Sequence, residues 1–192
     1  AGFLLANGAL GDEDSLEIRK KLIENDKIEA IIILPRQMFY STDISVTLWI
    51  LNQNKKGGIY HKRNLRNRKG EILFVDLRTW NQNKYEKNFV QFSQEQIQEI
   101  VGIYQKWQQY GLEDLKDFAA PELYRSVSKE EIAENGYSLV PSRYIEFVDR
   151  DKDIDYQSIM KETSAKVSEL LERQAKNQIA LTEAFKELGY GE

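Results

Sequence analysis

The chain has 192 residues, 41% hydrophobic and 30% charged, which excludes a disordered tail and leaves no apolar run near the roughly 20 residues of a bilayer-spanning helix. It has no Cys and a single His, His61, so a disulfide framework, a thiolate nucleophile and the usual Cys-based zinc and His-rich metal sites are excluded, and a reducing, cytoplasmic setting without membrane contact is expected. The net charge of -4 conceals an uneven distribution: seven of the 27 basic residues (Lys55, Lys56, Lys62, Arg63, Arg66, Arg68 and Lys69) fall together with no acid among them, leaving 20 to face all 31 Asp and Glu. Such a segment on an acidic body predicts a local polyanion contact, with a solvated hairpin tip as the alternative.

In chain order, the first 52 residues alternate apolar runs with an amphipathic stretch, the pattern of a parallel α/β unit. Phe3 to Ala6 is a short first strand. A helix follows, with Asp12 or Asp14 as its expected cap and Leu16, Ile18, Leu22 and Ile23 over its turns. Ile28 to Leu34 is nearly all apolar and ends at Pro35, as expected of a central strand covered on both faces. Only nine residues separate it from the β-branched run Ile44–Leu51, too few for a crossover helix, so an antiparallel return is expected. Gly57 to Gly70 reads as a long polar hairpin connection, and Glu71 to Leu77 as another strand.

Beyond Ser93 the pattern becomes helical. Ser93-Gln94-Glu95-Gln96 has the form of a capping box, and Ile97, Ile100, Val101, Tyr104 and Trp107 follow at helical spacing. Ser128 with Glu131 starts a short helix that Gly136 stops, and Leu139–Tyr144 reads as extended chain. Asp155 to Leu188 contains no Gly or Pro until Gly189 and predicts one long helix. Its apolar positions approximate a 3-4 spacing, interrupted by Gln174, Asn177 and Gln178, so it either folds back on the α/β unit or meets a partner helix.

Self-announcing catalytic motifs are missing: there is no GxGxxG, P-loop, HExxH, GxSxG or EF-hand loop. The acidic clusters Asp12-Glu13-Asp14 and Asp149–Asp155 lie where capping and solubility account for them. Asp76 ends a buried run, where ligand-facing residues often sit in α/β folds.

A resemblance carries the reading further. Ala1–Leu10, Ile18–Asp26, Glu29–Pro35 and Met38–Leu51 resemble, in order, the modification (methyltransferase) subunit of type I restriction-modification systems. Gly70–Asp76, Asn135–Leu139 and Ser142–Tyr144 extend the similarity over most of the chain. The resemblance implies an α/β fold: the C-terminal part of a Rossmann-like S-adenosylmethionine-dependent methyltransferase sheet (residues 1–92), followed by a helical C-terminal region for subunit interaction (residues 93–192). It implies methylation of adenine N6 in DNA with S-adenosylmethionine as cofactor, and partnership with DNA, a specificity subunit and a restriction subunit.

The family's glycine-rich cofactor loop and its Asn-Pro-Pro-aromatic motif do not occur in these residues and are expected upstream of Ala1. No catalytic or cofactor-binding residue is therefore assigned, and the 192 residues alone are expected to be inactive. In related amino-methyltransferases the loop between the last two strands carries an aromatic that stacks on the extruded adenine, and Phe39 holds the matching place, with Tyr40 as the lesser candidate. The alternative for Phe39 is a core role; the alternative for the chain is a non-catalytic module that assembles a restriction complex.

Overall fold

Strand β2 (Ile28–Ile33) is buried at all six positions, because it is covered on both faces of a six-stranded sheet. The computed structural model describes residues 1–40, 43–85, 89–109, 118–148 and 155–189, and the chain divides into Ala1–Val148 and Asp149–Glu192. In the first unit β1 (Gly2–Ala6) and β2 are joined by helix α1 (Leu16–Glu24), and β3 (Val46–Leu51) runs back antiparallel between them. The sheet order is β1-β3-β2-β6-β10-β9, with β6 at Glu71–Asp76, β9 at Ala119–Ala120 and β10 at Tyr124–Ser128.

The expected antiparallel return of β3 is observed, and β1 and β2, each antiparallel to β3, run in the same direction on either side of α1 in sequence, as the expected parallel unit requires, but do not pair directly. Among the described residues only β2 and β6 pair in parallel, from Ala30 opposite Leu73 to Ile33 opposite Asp76. The short connection forces β3 to reverse, and it fills the place beside β2 that a parallel β1 would have taken. The sheet also continues past Ser93: β10 pairs antiparallel with β6, so the change to helical patterning marks no structural boundary.

Alternation along β2 and β6 builds a core on each face. On one side Ile31, Ile33, Ile72 and Phe74 pack with Ile23 of α1, Ile132 of α3 (Lys129–Glu134), Leu139 and Tyr144. On the other, Ala30, Ile32, Leu73 and Val75 pack with Ile103 and Trp107 of α2 (Gln94–Gln108). The Ser93–Gln96 capping box forms as expected, and the Ser128 hydroxyl accepts from Glu131 N. Two local expectations fail. Helix α1 starts after Ser15 with no side-chain cap, since Asp12 precedes a separate 3-10 turn, and Pro141–Arg143 is a 3-10 turn rather than extended chain.

Gly57 to Gly70 is not a hairpin between neighbouring strands, because β2 lies between β3 and β6. It carries its own ribbon, β4 (Gly58–Tyr60) with β5 (Arg63–Leu65). In the second unit α4 (Tyr156–Glu187) is one unbroken helix capped by the Asp155 carboxylate, and every described residue of it is exposed. No helix among the described residues is long and apolar enough to cross a membrane.

Gly57 has φ +75°, and a Cβ there would lie 2.6 Å from the Arg66 carbonyl carbon and 2.7 Å from Asn67 N. Gly70 has φ +74° but open space around it. Gly70→Ala is expected to cost about 1–2 kcal/mol for the left-handed backbone alone. Gly57→Ala, which also drives a methyl into backbone, should cost clearly more, as read from urea midpoints of the two variants.

Candidate functional site

The carboxyl ends of the parallel pair β2 and β6 form one rim of the sheet, the place where α/β folds bind ligands. The loop after β2 opens with buried Pro35, and its base is tied by Ser45 Oγ donating to Leu34 O at 2.6 Å and by the Arg36–Asp43 ion pair at 2.6 Å. Phe39 sits on this loop, half-buried; Tyr40 beside it is 75% exposed. The Tyr40 ring lies 4.3 Å from that of Phe89, on the small ribbon of β7 (Lys84–Tyr85) and β8 (Phe89–Val90). Asp76, at the end of β6, is buried but engaged. Arg78 donates to both of its oxygens, through Nε at 3.0 Å and Nη2 at 2.6 Å, so this carboxylate is not open to a ligand.

The basic segment lies at the opposite end of β2, about 17 Å away at 3.3 Å per residue. Its seven side chains separate into two groups. Lys55, Arg66 and Arg68 are buried, whereas Lys56, Lys62, Arg63 and Lys69 are exposed. Lys55 Nζ donates to Asp26 Oδ1 at 2.6 Å, Ile28 O at 2.8 Å and Glu71 O at 2.7 Å, closing the amino ends of β2 and β6. Burial pushes its pKa down, against the opposing effect of Asp26. Arg66 forms a two-pronged pair with Glu71, at 2.9 and 2.6 Å, and donates to Trp107 O at the end of α2.

Arg68 Nε donates to Glu29 Oε1 at 3.0 Å, an oxygen that Gln108 Nε2 also reaches at 3.0 Å, while Asn52 donates to Oε2. Both guanidinium groups lie over the Trp107 ring, at 5.2 and 5.9 Å. Burial and then the neighbouring Glu29 push the Tyr104 hydroxyl upward in pKa. The expected seven-residue basic surface is therefore corrected to four residues, because Arg66 and Arg68 neutralise carboxylates buried in the sheet, Glu71 and Glu29, and Lys55 is itself buried against Asp26 and two strand carbonyls. The sequence reading missed Glu29, although a lone carboxylate inside an apolar strand is itself a signal that a cation must come to it. His61 is at the ribbon tip, edge-on to Tyr60 at 4.4 Å. The cluster at 149–154 lies outside the described residues.

A cavity of about 230 Å³ lies between β1, β3 and α1, lined mainly by apolar side chains (Phe3, Leu5, Ile18, Leu22 and Trp49) with Ser15 and Arg19 at its edge.

The N-6 DNA methylase family matches residues 1–153, most of the chain, and the chain belongs to it. Within it the chain is similar to methylase subunits of type I restriction enzymes. It is 31% identical to the MjaIX subunit of Methanocaldococcus jannaschii, over 99% of this chain and 32% of that protein. It is 32% identical to the HindI subunit of Haemophilus influenzae, over 97% and 39% respectively. The chain thus spans about a third of the length of the curated relatives it matches. Among solved structures, the type I methyltransferase subunit from Streptococcus thermophilus superposes with TM-score 0.57 at 24% identity, over 76% of this chain and 26% of that one. The EcoKI M protein gives 0.51 at 20% identity, over 91% and 40%. These likenesses establish the fold, a mixed α/β sheet followed by a long helix.

Because Glu29 and Arg68 are both fully buried, removing one partner strands the other. Glu29→Ala is expected to destabilise by about 3–5 kcal/mol, and Glu29→Met with Arg68→Leu to recover most of that loss. Denaturation of the two variants and the parent checks the pair.

Proposed function

We propose that the chain is the later part of the catalytic domain, and the following helical region, of a type I restriction-modification subunit that methylates adenine N6 in DNA from S-adenosylmethionine. The observation that carries the reading is the reversed β3, which brings the loop bearing Phe39 to the carboxyl rim of β2 and β6 in a chain of the N-6 DNA methylase family. Chemistry on a stacked base requires its extrusion, and an aromatic face returns about 1–3 kcal/mol of the lost stacking. Phe39 is the residue assigned to that face. The cofactor and the catalytic groups belong to parts of the subunit not represented in these 192 residues. Helical parts of residues 93–192 meet the specificity subunit, and the assembled enzyme works with the restriction subunit.

The basic ribbon contributes in two ways. Arg66 and Arg68 hold the sheet to α2, Lys55 ties the amino ends of β2 and β6, and Lys56, Lys62, Arg63 and Lys69 are available to DNA phosphates away from the target base. A second reading, a module that assembles a restriction complex without taking part in catalysis, is favoured by α4, whose apolar residues Val167, Leu170, Leu171, Leu181 and Phe185 are all exposed. The gene decides between them. A reading frame that continues upstream into a glycine-rich loop and Asn-Pro-Pro-aromatic supports the enzyme, and a start codon just before Ala1 supports the module.

Three measurements test the proposal. Calorimetry on the 192 residues is expected to give no S-adenosylmethionine binding, and micromolar binding would refute the division of labour. In the complete enzyme, neutralising Lys56, Lys62 and Arg63 should weaken DNA binding for all sequences alike and reduce the salt slope by about two to three, since each phosphate contact contributes roughly 0.9. An unchanged slope leaves a solvated tip. Phe39→Ala should lower turnover by roughly 10- to 100-fold, matching the stacking energy. Its stability cost should stay below the roughly 3–5 kcal/mol of a core Phe; unfolding, or full turnover with normal base extrusion, would make Phe39 a packing residue.

A further inference from the structure

We propose that strand β8 is the positioning element of the Phe39 loop, and that Phe89 on it is a positioning residue that acts through Tyr40. The proposal rests on the reading of Phe39 as the stacking residue and deepens it. Two contacts carry it, and they bracket Phe39 in sequence. Two residues before Phe39, the carbonyl of Gln37 accepts a hydrogen bond from Val90 N at 2.8 Å. One residue after it, the ring of Tyr40 packs at 4.3 Å and a tilt of 55° on the ring of Phe89. Consecutive residues of β8 therefore hold the chain on both sides of Phe39.

The anchor is firm where the loop is not. Val90 is 4% exposed, and β8 is paired with β7, from Lys84 opposite Val90 to Tyr85 opposite Phe89. The loop itself includes Gln37 at φ 64°, a left-handed conformation that a side-chain-bearing residue keeps only when its surroundings impose it. The base of the loop is tied by Ser45 Oγ donating to Leu34 O and by the Arg36–Asp43 pair, whose side chains are 71% and 57% exposed, and such surface pairs hold little. The two contacts with β8 are the ones that flank Phe39 most closely. A stacking face is useful to an extruded base only if it is already in place, since any ordering left until the base arrives is subtracted from the stacking it provides.

The same geometry separates the two adjacent aromatics. Tyr40, three-quarters exposed, looks on exposure alone like the better base platform, but its ring already has a partner in Phe89. It serves as the handle by which β8 grips the loop, and Phe39 is left as the ring available to the base.

The test uses the full-length subunit assembled with its partner subunits, on duplex DNA with 2-aminopurine at the target adenine. It reads fluorescence on extrusion, kcat, KM for DNA and the thermal midpoint. Phe89→Ala is expected to lower both the extrusion signal and kcat roughly three- to tenfold, the scale of one aromatic pair. KM for DNA and the thermal midpoint should change little. Phe89→Tyr should restore both signals. Tyr40→Ala should reproduce the loss, and the double variant Tyr40→Ala/Phe89→Ala should lose no more than either alone, because both remove the same contact.

Normal extrusion in Phe89→Ala, or losses that multiply in the double variant, would overturn the proposal. Should Phe89→Ala lower the thermal midpoint, Phe89→Leu keeps most of the volume without the ring, and extrusion retained in that variant overturns it equally. Phe39→Ala in the same assay tells the two readings apart. Full extrusion there removes the stacking assignment and the positioning role with it, whereas lost extrusion in Phe39→Ala beside normal extrusion in Phe89→Ala removes only the role of β8.

Discussion

Glu29 stands in β2, one of two strands of this sheet, with β6, that are buried at every position, and a carboxylate there cannot be left alone, since taking such an ion out of water costs several kcal/mol. Much of the architecture around the amino ends of β2 and β6 answers that constraint. Arg68 reaches Glu29 only if the chain between β3 and β6 turns inward after Leu65, and Gln108 reaches it only if α2 lies across the same face and ends there. Arg66 and Glu71 repeat the arrangement one step away, and Trp107 roofs both guanidinium groups. The ribbon, the helix and the two parallel strands are thereby joined at one charged knot. The left-handed turn at Gly57, pressed against the Arg66–Asn67 backbone, lets the chain enter it.

The knot also separates the ends of the sheet by task. At the amino ends the polar side chains are spent on one another, and the buried carboxylates and cations neutralise locally. At the carboxyl ends the pairing is looser. The Arg36–Asp43 bridge is open to solvent, Arg78 is half exposed, and two aromatic rings, Tyr40 and Phe89, sit where the strands stop. A rim with few buried constraints can admit a ligand, whereas an end locked by buried ion pairs cannot rearrange without stranding a charge. The rim carrying Phe39 is therefore the end of the sheet with fewer buried ion pairs, and Lys55, Arg66 and Arg68 have a structural part at the other end.

The second unit follows a different logic. Helix α4 spans about 48 Å at 1.5 Å per residue and exposes its apolar residues all along that length. A helix of that length in water owes its stability to packing an apolar face. Gln174 and Asn177 interrupt the stripe midway, and polar residues on such a seam restrict which register a partner can adopt.

Much was legible in the sequence because it depended on local chemistry. The apolar runs at Ile28–Leu34 and Glu71–Leu77 are strands since only burial on both faces suits them. Nine residues after Leu34 allow only an antiparallel return, and Ser93 with Gln96 starts a helix by satisfying its own first amides. The family was legible too, through the ordered resemblance from Ala1 to Tyr144. What tertiary structure alone decided was which charges face water and which rings meet. Lys55 and Lys56 are neighbours in the chain, yet one is buried in three hydrogen bonds and the other is exposed, because the first lies beside Asp26 and the ends of two strands. Phe89 comes to Tyr40 across 49 residues of chain by the same kind of long-range packing. Composition and spacing report what each segment prefers by itself; desolvation and contact energies act between segments, and those are set only when the sheet has closed.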